Sequence, residues 1–248
     1  MISNHMKPKE NTALKSTTTF FTEVAESFAS NYTRKQSFSD RLNLFQAAVQ
    51  RSVPAPAKVL DFGCGHGAIA ASVARLGYDV LGTDGSVGMV HKSNAAASAA
   101  GLHNLRFELV DATSANFPAR FFDVIICSSV LEYLPQDMAI LGYLVESLAL
   151  GGTLLVSVPN AWSLIGIAER SVRCIRRFSR LGIGRHFDYS LRHYSPSLFV
   201  DQLSSLGLEV RCRTSFEFPL FGRAGVRISR LRALGAMVLF ETRRTRLV

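Results

Sequence analysis

Apolar and polar positions fall into an alternating rhythm from residue 57 onward. Short apolar runs at 57–62, 78–83, 104–110, 121–127 and 152–158 predict strands buried on both faces. Between them apolar residues recur at helical spacing, which predicts helices over 67–76, 86–100 and 136–149. Strand and helix in alternation call for parallel strands joined by right-handed crossovers. Gly151-Gly152 predicts a turn into the strand at 152–158, and Pro159 ends that strand. A helix over 196–206, a strand over 208–216 and a last strand near Met237 to Thr242 complete the pattern.

Two segments stand outside that rhythm. Residues 1–18 are polar and aperiodic, the composition of a disordered end. Phe20, Phe21, Val24, Ala25 and Phe28 then recur at helical spacing, with Tyr32 beyond them. A second helix runs from Phe38 or Ser39 to Val49, ahead of Pro54 and Pro56. Residues 19–54 are therefore expected as lid helices over the carboxyl edge of the sheet. Residues 160–194 mix apolar Trp162, Leu164, Ile165 and Phe178 with Arg170, Arg173, Arg176, Arg177 and Arg180, and Gly182 and Gly184 close the stretch. That pattern predicts a basic amphipathic helix, inserted at the carboxyl edge as a substrate cap. The layout is a disordered 1–18 followed by one domain over 19–248. Its parts are lid 19–54, cofactor core 55–159, cap 160–194, and a C-terminal helix and strands over 195–248.

Composition adds bounds. At 248 residues the chain is long enough for one full α/β core. No apolar run approaches the ~20 residues that cross a bilayer, and the polar stretch Met1 to Thr19 lacks a signal-peptide core, so a cytoplasmic protein is the expectation. Cys64, Cys127, Cys174 and Cys212 lie far apart with no Cys-x-x-Cys pair, so they are expected as reduced, buried residues rather than zinc ligands or disulfides. Charge divides unevenly: residues 1–159 hold 12 Lys and Arg against 13 Asp and Glu, whereas 160–248 hold 16 Arg, no Lys and 6 acids. The excess suits a solvated basic face, an anionic substrate or an anionic membrane met peripherally through 162–180.

The chemistry concentrates at Lys58-Val59-Leu60-Asp61-Phe62-Gly63-Cys64-Gly65-His66-Gly67. A carboxylate at a strand end, then alternating glycines, then a helix start presents bare amides and a helix N-terminus to a ligand. The acid beside that loop favours a ligand carrying hydroxyls or positive charge. Asp84 ends the second strand in Val80-Leu81-Gly82-Thr83-Asp84, where an acid accepts ribose hydroxyls. Dinucleotide sites share both features. Three later stretches discriminate: Val110-Asp111-Ala112, Ser128-Ser129-Val130-Leu131-Glu132-Tyr133-Leu134-Pro135, and Gly151-Gly152-Thr153-Leu154-Leu155-Val156-Ser157.

On these residues the chain resembles the class I S-adenosylmethionine-dependent methyltransferases over about 55–215, in their small-molecule branch with the ubiquinone, menaquinone and tetrapyrrole enzymes. The resemblance implies a Rossmann-like, doubly wound seven-stranded sheet with an antiparallel last strand. It also implies S-adenosylmethionine as cofactor and S-adenosylhomocysteine as product; no metal is expected, because no His/Asp cluster has ligand spacing. By resemblance, Asp61, Gly63, Cys64 and Gly65 line the methionine end, Asp84 and Gly85 meet the ribose, and Met89 packs on the adenine. Asp111 and Ala112 frame the adenine amine, and Ser128 lies near the sulfonium. Many relatives carry Leu-Glu-His where this chain has Leu131-Glu132-Tyr133, so a family histidine base is missing. Candidate bases are His193, His186 and Tyr133, and candidate acceptor contacts are Tyr32, Trp162 and Tyr194. The expected reaction is transfer of a methyl group to a small organic acceptor, most readily at oxygen. Rival readings are a membrane-associated enzyme of quinones or lipids, a nucleic-acid methyltransferase, a non-catalytic cofactor-binding protein and a nicotinamide oxidoreductase. The second lacks the Asp/Asn-Pro-Pro-Tyr/Phe signature after the fourth strand.

Overall fold

The computed structural model describes residues 17–23, 36–163, 190–217 and 235–246. Seven strands form one sheet: β1 (Lys58–Phe62), β2 (Asp79–Asp84), β3 (Leu105–Leu109), β4 (Phe122–Ser128), β5 (Leu148–Pro159), β6 (Leu208–Phe216) and β7 (Met237–Arg244). Their spatial order is β3-β2-β1-β4-β5-β7-β6, with β7 antiparallel to both of its neighbours and β1 to β5 parallel. This is the sheet that the resemblance implies. The helices are α1 (Gln36–Ser52), α2 (Ala68–Ala74), α3 (Val87–Ala99), α4 (Asp137–Ser147) and α5 (Pro196–Ser205), with a 3-10 turn at Leu131–Tyr133.

Continuous apolar runs in the strands follow from burial on both faces. Leu60, Ile125, Cys127, Leu154 and Phe240 point to one face, where Leu141 and Leu144 of α4 and Phe199 and Leu203 of α5 cover them. Val59, Val124, Ile126, Leu155 and Leu239 point to the other, under Phe45, Ala48 and Val49 of α1 and Ile69, Ala70 and Val73 of α2. The central strands are thus shut between two apolar layers, and polar side chains gather at the strand ends.

Two expectations change in detail. The strand at 152–158 begins earlier, at Leu148, and its pairing with β4 jumps between Phe122–Leu148 and Val124–Thr153. Gly151-Gly152 therefore sits in an irregularity within the strand rather than in a turn before it. The second lid helix divides its duties: its C-terminal half is core on the α2 face, while Arg41 in its N-terminal half bonds Ser129 at the end of β4. Residues 17–23, by contrast, are helical and bridge two lips of the carboxyl edge. Thr22 Oγ1 lies 2.9 Å from Ser86 Oγ, and the Phe21 ring meets Tyr133 edge-on at 5.3 Å. Among the cysteines, Cys127 is buried as expected, but Cys64 is only half-buried and Cys212 is exposed on β6. Cys174 and most of the predicted basic helix lie outside the described residues.

Candidate active site

The strand order reverses between β1 and β4, so the connections leaving their carboxyl ends diverge and open a crevice. β1 delivers Asp61 to its floor. The side chain is 1% exposed, and its Oδ2 has no hydrogen-bond partner. Burial raises this carboxyl to about 7, the Ala70 amide in the first turns of α2 opposes the rise, and the charge of Asp84 adds to it. A role for Asp61 as no more than a helix cap would cover the Ala70 contact and leave Oδ2 unexplained.

The glycine loop then turns over Asp61. Gly63 has φ +69°, and a β-carbon there would collide with the Val130 side chain of the β4 loop. Gly65 has φ +56° and a β-carbon would meet nothing within 4 Å, so the loop tip faces open space. The Cys64 amide donates to the Thr83 carbonyl at 2.9 Å, which ties the loop to β2.

Asp84 works from the end of β2. Its Oδ2 accepts the Gly65 amide at 2.9 Å and its Oδ1 accepts the Ser86 amide at 2.8 Å. Burial pushes its carboxyl up while these two amides hold it down. Each oxygen keeps a second lone pair for a ligand hydroxyl. Ser86 caps α3 by accepting the Met89 amide at 3.2 Å, and Met89 is buried beneath it. Gly85 leaves little room: a β-carbon there would stand 3.2 Å from Thr18. Beyond β3, Asp111 is exposed; its Oδ1 accepts both the amide and the hydroxyl of Thr113, at 2.8 and 2.7 Å, and Ala112 packs against the core. Ser128 lies 3.4 Å from Ser157, oxygen to oxygen. His66, in the loop itself, is held neutral by burial, which lowers it to about 4.

The sequence-derived cofactor candidates thus stand at the carboxyl ends of β1, β2, β3 and β4 or in the segments that follow them, and the glycine loop and Asp84 are bonded directly. The acceptor-side candidates divide. Tyr133 is half-buried beside Phe21. His193 is half-buried in the segment 190–195, between Arg192 and Tyr194. Tyr194 is buried: its hydroxyl donates to Asp137 Oδ2 at 2.7 Å and its ring meets Phe199 edge-on. Arg192 pairs with Asp137 as well, so the segment is anchored on the first turn of α4. Trp162 is 64% exposed, with its indole N–H on Ser195 Oγ at 3.3 Å. His186 and Tyr32 lie outside the described residues.

Residue-by-residue reading missed a second polar group here. Arg41 donates to Glu217 Oε1 at 3.0 and 2.5 Å and to Ser129 Oγ at 3.0 Å. Ser129 and Glu217 both have left-handed backbones, at φ 56° and 58°. Next to them Glu132 is 3% exposed with Oε2 unpartnered, and burial raises its carboxyl to about 8. An acid in the otherwise apolar stretch Val130-Leu131-Glu132 was the available signal. Among the described residues no cluster of His, Cys, Asp and Glu could hold a metal ion, and no helix is long and apolar enough to cross a membrane.

Comparison with known proteins bears on the family and the fold. The sequence model of a methyltransferase domain family matches residues 31–212. The chain is 34% identical over 162 residues to a ubiquinone biosynthesis O-methyltransferase of Xanthomonas axonopodis pv. citri, covering 64% of this chain and 66% of that protein. It is 33% identical over 105 residues to an aklanonic acid methyltransferase of a Streptomyces species, covering 41% of this chain and 48% of that one. The chain spans about half to two thirds of the length of these curated relatives. Among solved structures, the Burkholderia thailandensis 1,6-didemethyltoxoflavin-N1-methyltransferase superposes with a TM-score of 0.67 at 17% identity, over 99% of this chain and 94% of that one. That structure holds S-adenosylhomocysteine; at such identity the likeness speaks for the fold.

Proposed function

Because the chain belongs to the class I S-adenosylmethionine-dependent methyltransferases, we propose that it moves a methyl group from S-adenosylmethionine to an oxygen of a small organic acceptor. The observation that carries the reading is Asp61 Oδ2, a buried carboxylate oxygen without a partner under an open glycine loop. Such an atom costs stability unless a ligand donates to it. The amino group of a methionine-derived cofactor is a donor of the right charge.

In this reading Asp61, Gly63, Cys64 and Gly65 hold the amino-acid end. Asp84 accepts the ribose hydroxyls through its free lone pairs, beside Gly85. Met89 supports the adenine, Asp111 and Ala112 flank its amine, and Ser128 lines the transfer point. The cofactor supplies an electrophilic methyl group, and the chain's task is to hold the acceptor in line with it, which can contribute ~7–11 kcal/mol. His193, His186 and Tyr133 remain candidate bases, and Tyr32, Trp162 and Tyr194 candidate acceptor contacts. Transfer to oxygen is favoured by the ubiquinone O-methyltransferase relatives. A calorimetric titration with S-adenosylhomocysteine, with NADH as control, tests the cofactor. Micromolar binding of the first alone is expected, and binding of NADH alone would sink the reading.

A further inference from the structure

Among the described residues three buried side-chain polar atoms have no hydrogen-bond partner: Asp61 Oδ2, Thr83 Oγ1 and Glu132 Oε2. The cofactor reading accounts for the first. Glu132 needs another explanation, because an apolar side chain would fill its place in the 3-10 turn without the cost of a buried acid.

Its surroundings indicate what it faces. Glu132 follows Ser128 and Ser129 at the end of β4, on the side of the crevice away from β2 and Asp84. Its own carbonyl accepts the Leu191 amide at 2.7 Å, so it lies under the segment by which the chain returns from the 164–189 stretch. The groups that act on it electrostatically come from every side. Arg41 of α1 favours its charge, and Glu217 after β6 disfavours it. Burial raises the Cys127 thiol of β4 and, with Asp137, the Tyr194 hydroxyl, and the charge of Glu132 adds to both rises. Arg41 is already engaged with Glu217 and Ser129, and no bond joins it to Glu132 Oε2. The acid is thus placed beside a cation that can stabilise its ionised form, yet it keeps one oxygen uncommitted.

We infer that Glu132 is a catalytic residue of the methyl transfer, the carboxylate that takes the proton from the acceptor's hydroxyl. The inference rests on the proposed function and assigns the base that the departure from Leu-Glu-His left open. The acceptor's O–H proton passes to Glu132 Oε2 while the oxygen's lone pair forms the bond to the methyl carbon. The methyl–sulfur bond breaks with its pair left on sulfur, turning sulfonium to thioether. One proton then leaves Glu132 to solvent, and charge balances. A carboxyl raised to about 8 stands nearer a phenolic hydroxyl, at ~10 for tyrosine, than an ordinary carboxylate does, which suits proton transfer. The acceptor class this favours is a phenol or enol rather than an aliphatic alcohol.

The test uses the full chain loaded with S-adenosylhomocysteine and catechol as the phenolic probe, compared with E132Q. Both proteins should bind S-adenosylhomocysteine within threefold of each other. Catechol should bind E132Q at least tenfold more weakly. Infrared difference spectra at about pH 8 should show a carboxylate band shifted by a new hydrogen bond when catechol enters the wild type, and no such change in E132Q. Equal catechol affinity with the same spectral change in E132Q overturns the inference, as does absence of catechol binding to the loaded wild type. Should E132Q not fold, E132D is expected to keep the carboxyl change, and a silent spectrum there counts against the inference. Failure of the wild type to bind S-adenosylhomocysteine would instead remove the methyl-transfer reading itself.

Discussion

The Asp84 carboxylate accepts the Gly65 amide at 2.9 Å, so the acid at the end of β2 holds up the glycine loop that follows β1. Its other oxygen accepts the Ser86 amide at the entrance to α3. An acid read from sequence as a ribose contact is therefore also the brace between two loops of the crevice. Asp84→Ala is expected to lose on both counts. Two amides lose their acceptor, costing ~1–3 kcal/mol of stability in urea denaturation. S-adenosylhomocysteine affinity should fall by a similar free energy in calorimetry. A variant of full stability and unchanged affinity would take Asp84 out of the site.

Gly63 is fixed by its neighbour as well as by its backbone. Its φ of +69° and the Val130 methyl groups packed against it both oppose a side chain. Gly63→Ala should destabilise the fold by ~1–3 kcal/mol. The double variant Gly63→Ala with Val130→Ala should regain part of that, because the collision is relieved while the left-handed strain stays. No recovery in denaturation experiments would show that the backbone alone sets the cost.

Periodicity made the strand and helix order legible because apolar runs buried on both faces leave an unbroken signal, as in Val124, Ile125 and Ile126. The glycine loop was legible for a local reason: alternating glycines after Asp61 have few purposes apart from a ligand. The partnership of Arg41 with Ser129 and Glu217 was not, since it joins residues 88 and 176 positions apart. The bond from the Tyr194 hydroxyl to Asp137 was not legible either, since the two residues are 57 positions apart. The role of Glu132 was hidden for a different reason: its meaning lies in what it fails to touch.

The Arg41–Glu217 pair, at 2.5 Å with side chains 12% and 24% exposed, joins α1 to the end of β6. Arg41→Met leaves a largely buried carboxylate without its cation, and ~1–3 kcal/mol should be lost, less than for a fully buried pair. Pairing it with Glu217→Leu should recover most of the loss, since removing both charges removes the unpaired one. Additive losses in the double variant would mean that the two side chains act separately.

Asp61 predicts a pH effect with a definite sign. Its folded carboxyl sits at about 7 against 3.8 in a free chain, so between those values the folded protein without ligand binds the extra proton. Stability from this group is present in full below 3.8 and is lost as pH rises through about 7. The neutral, buried His66 acts in the opposite sense between 4 and 6.5, so the raw profile of the wild type mixes the two. The difference between wild type and Asp61→Asn isolates the acid: the wild type should gain relative to the variant as pH falls from 7 toward 4, by at most ~4 kcal/mol. A cationic amino group bound at Oδ2 reverses the preference, because it favours the ionised carboxylate. S-adenosylhomocysteine should accordingly bind the wild type more tightly as pH rises through 7, with release of a proton, and bind Asp61→Asn without that dependence. Calorimetry in two buffers of different ionisation enthalpy reads the proton directly, and equal proton counts in the two proteins would place the amino group elsewhere.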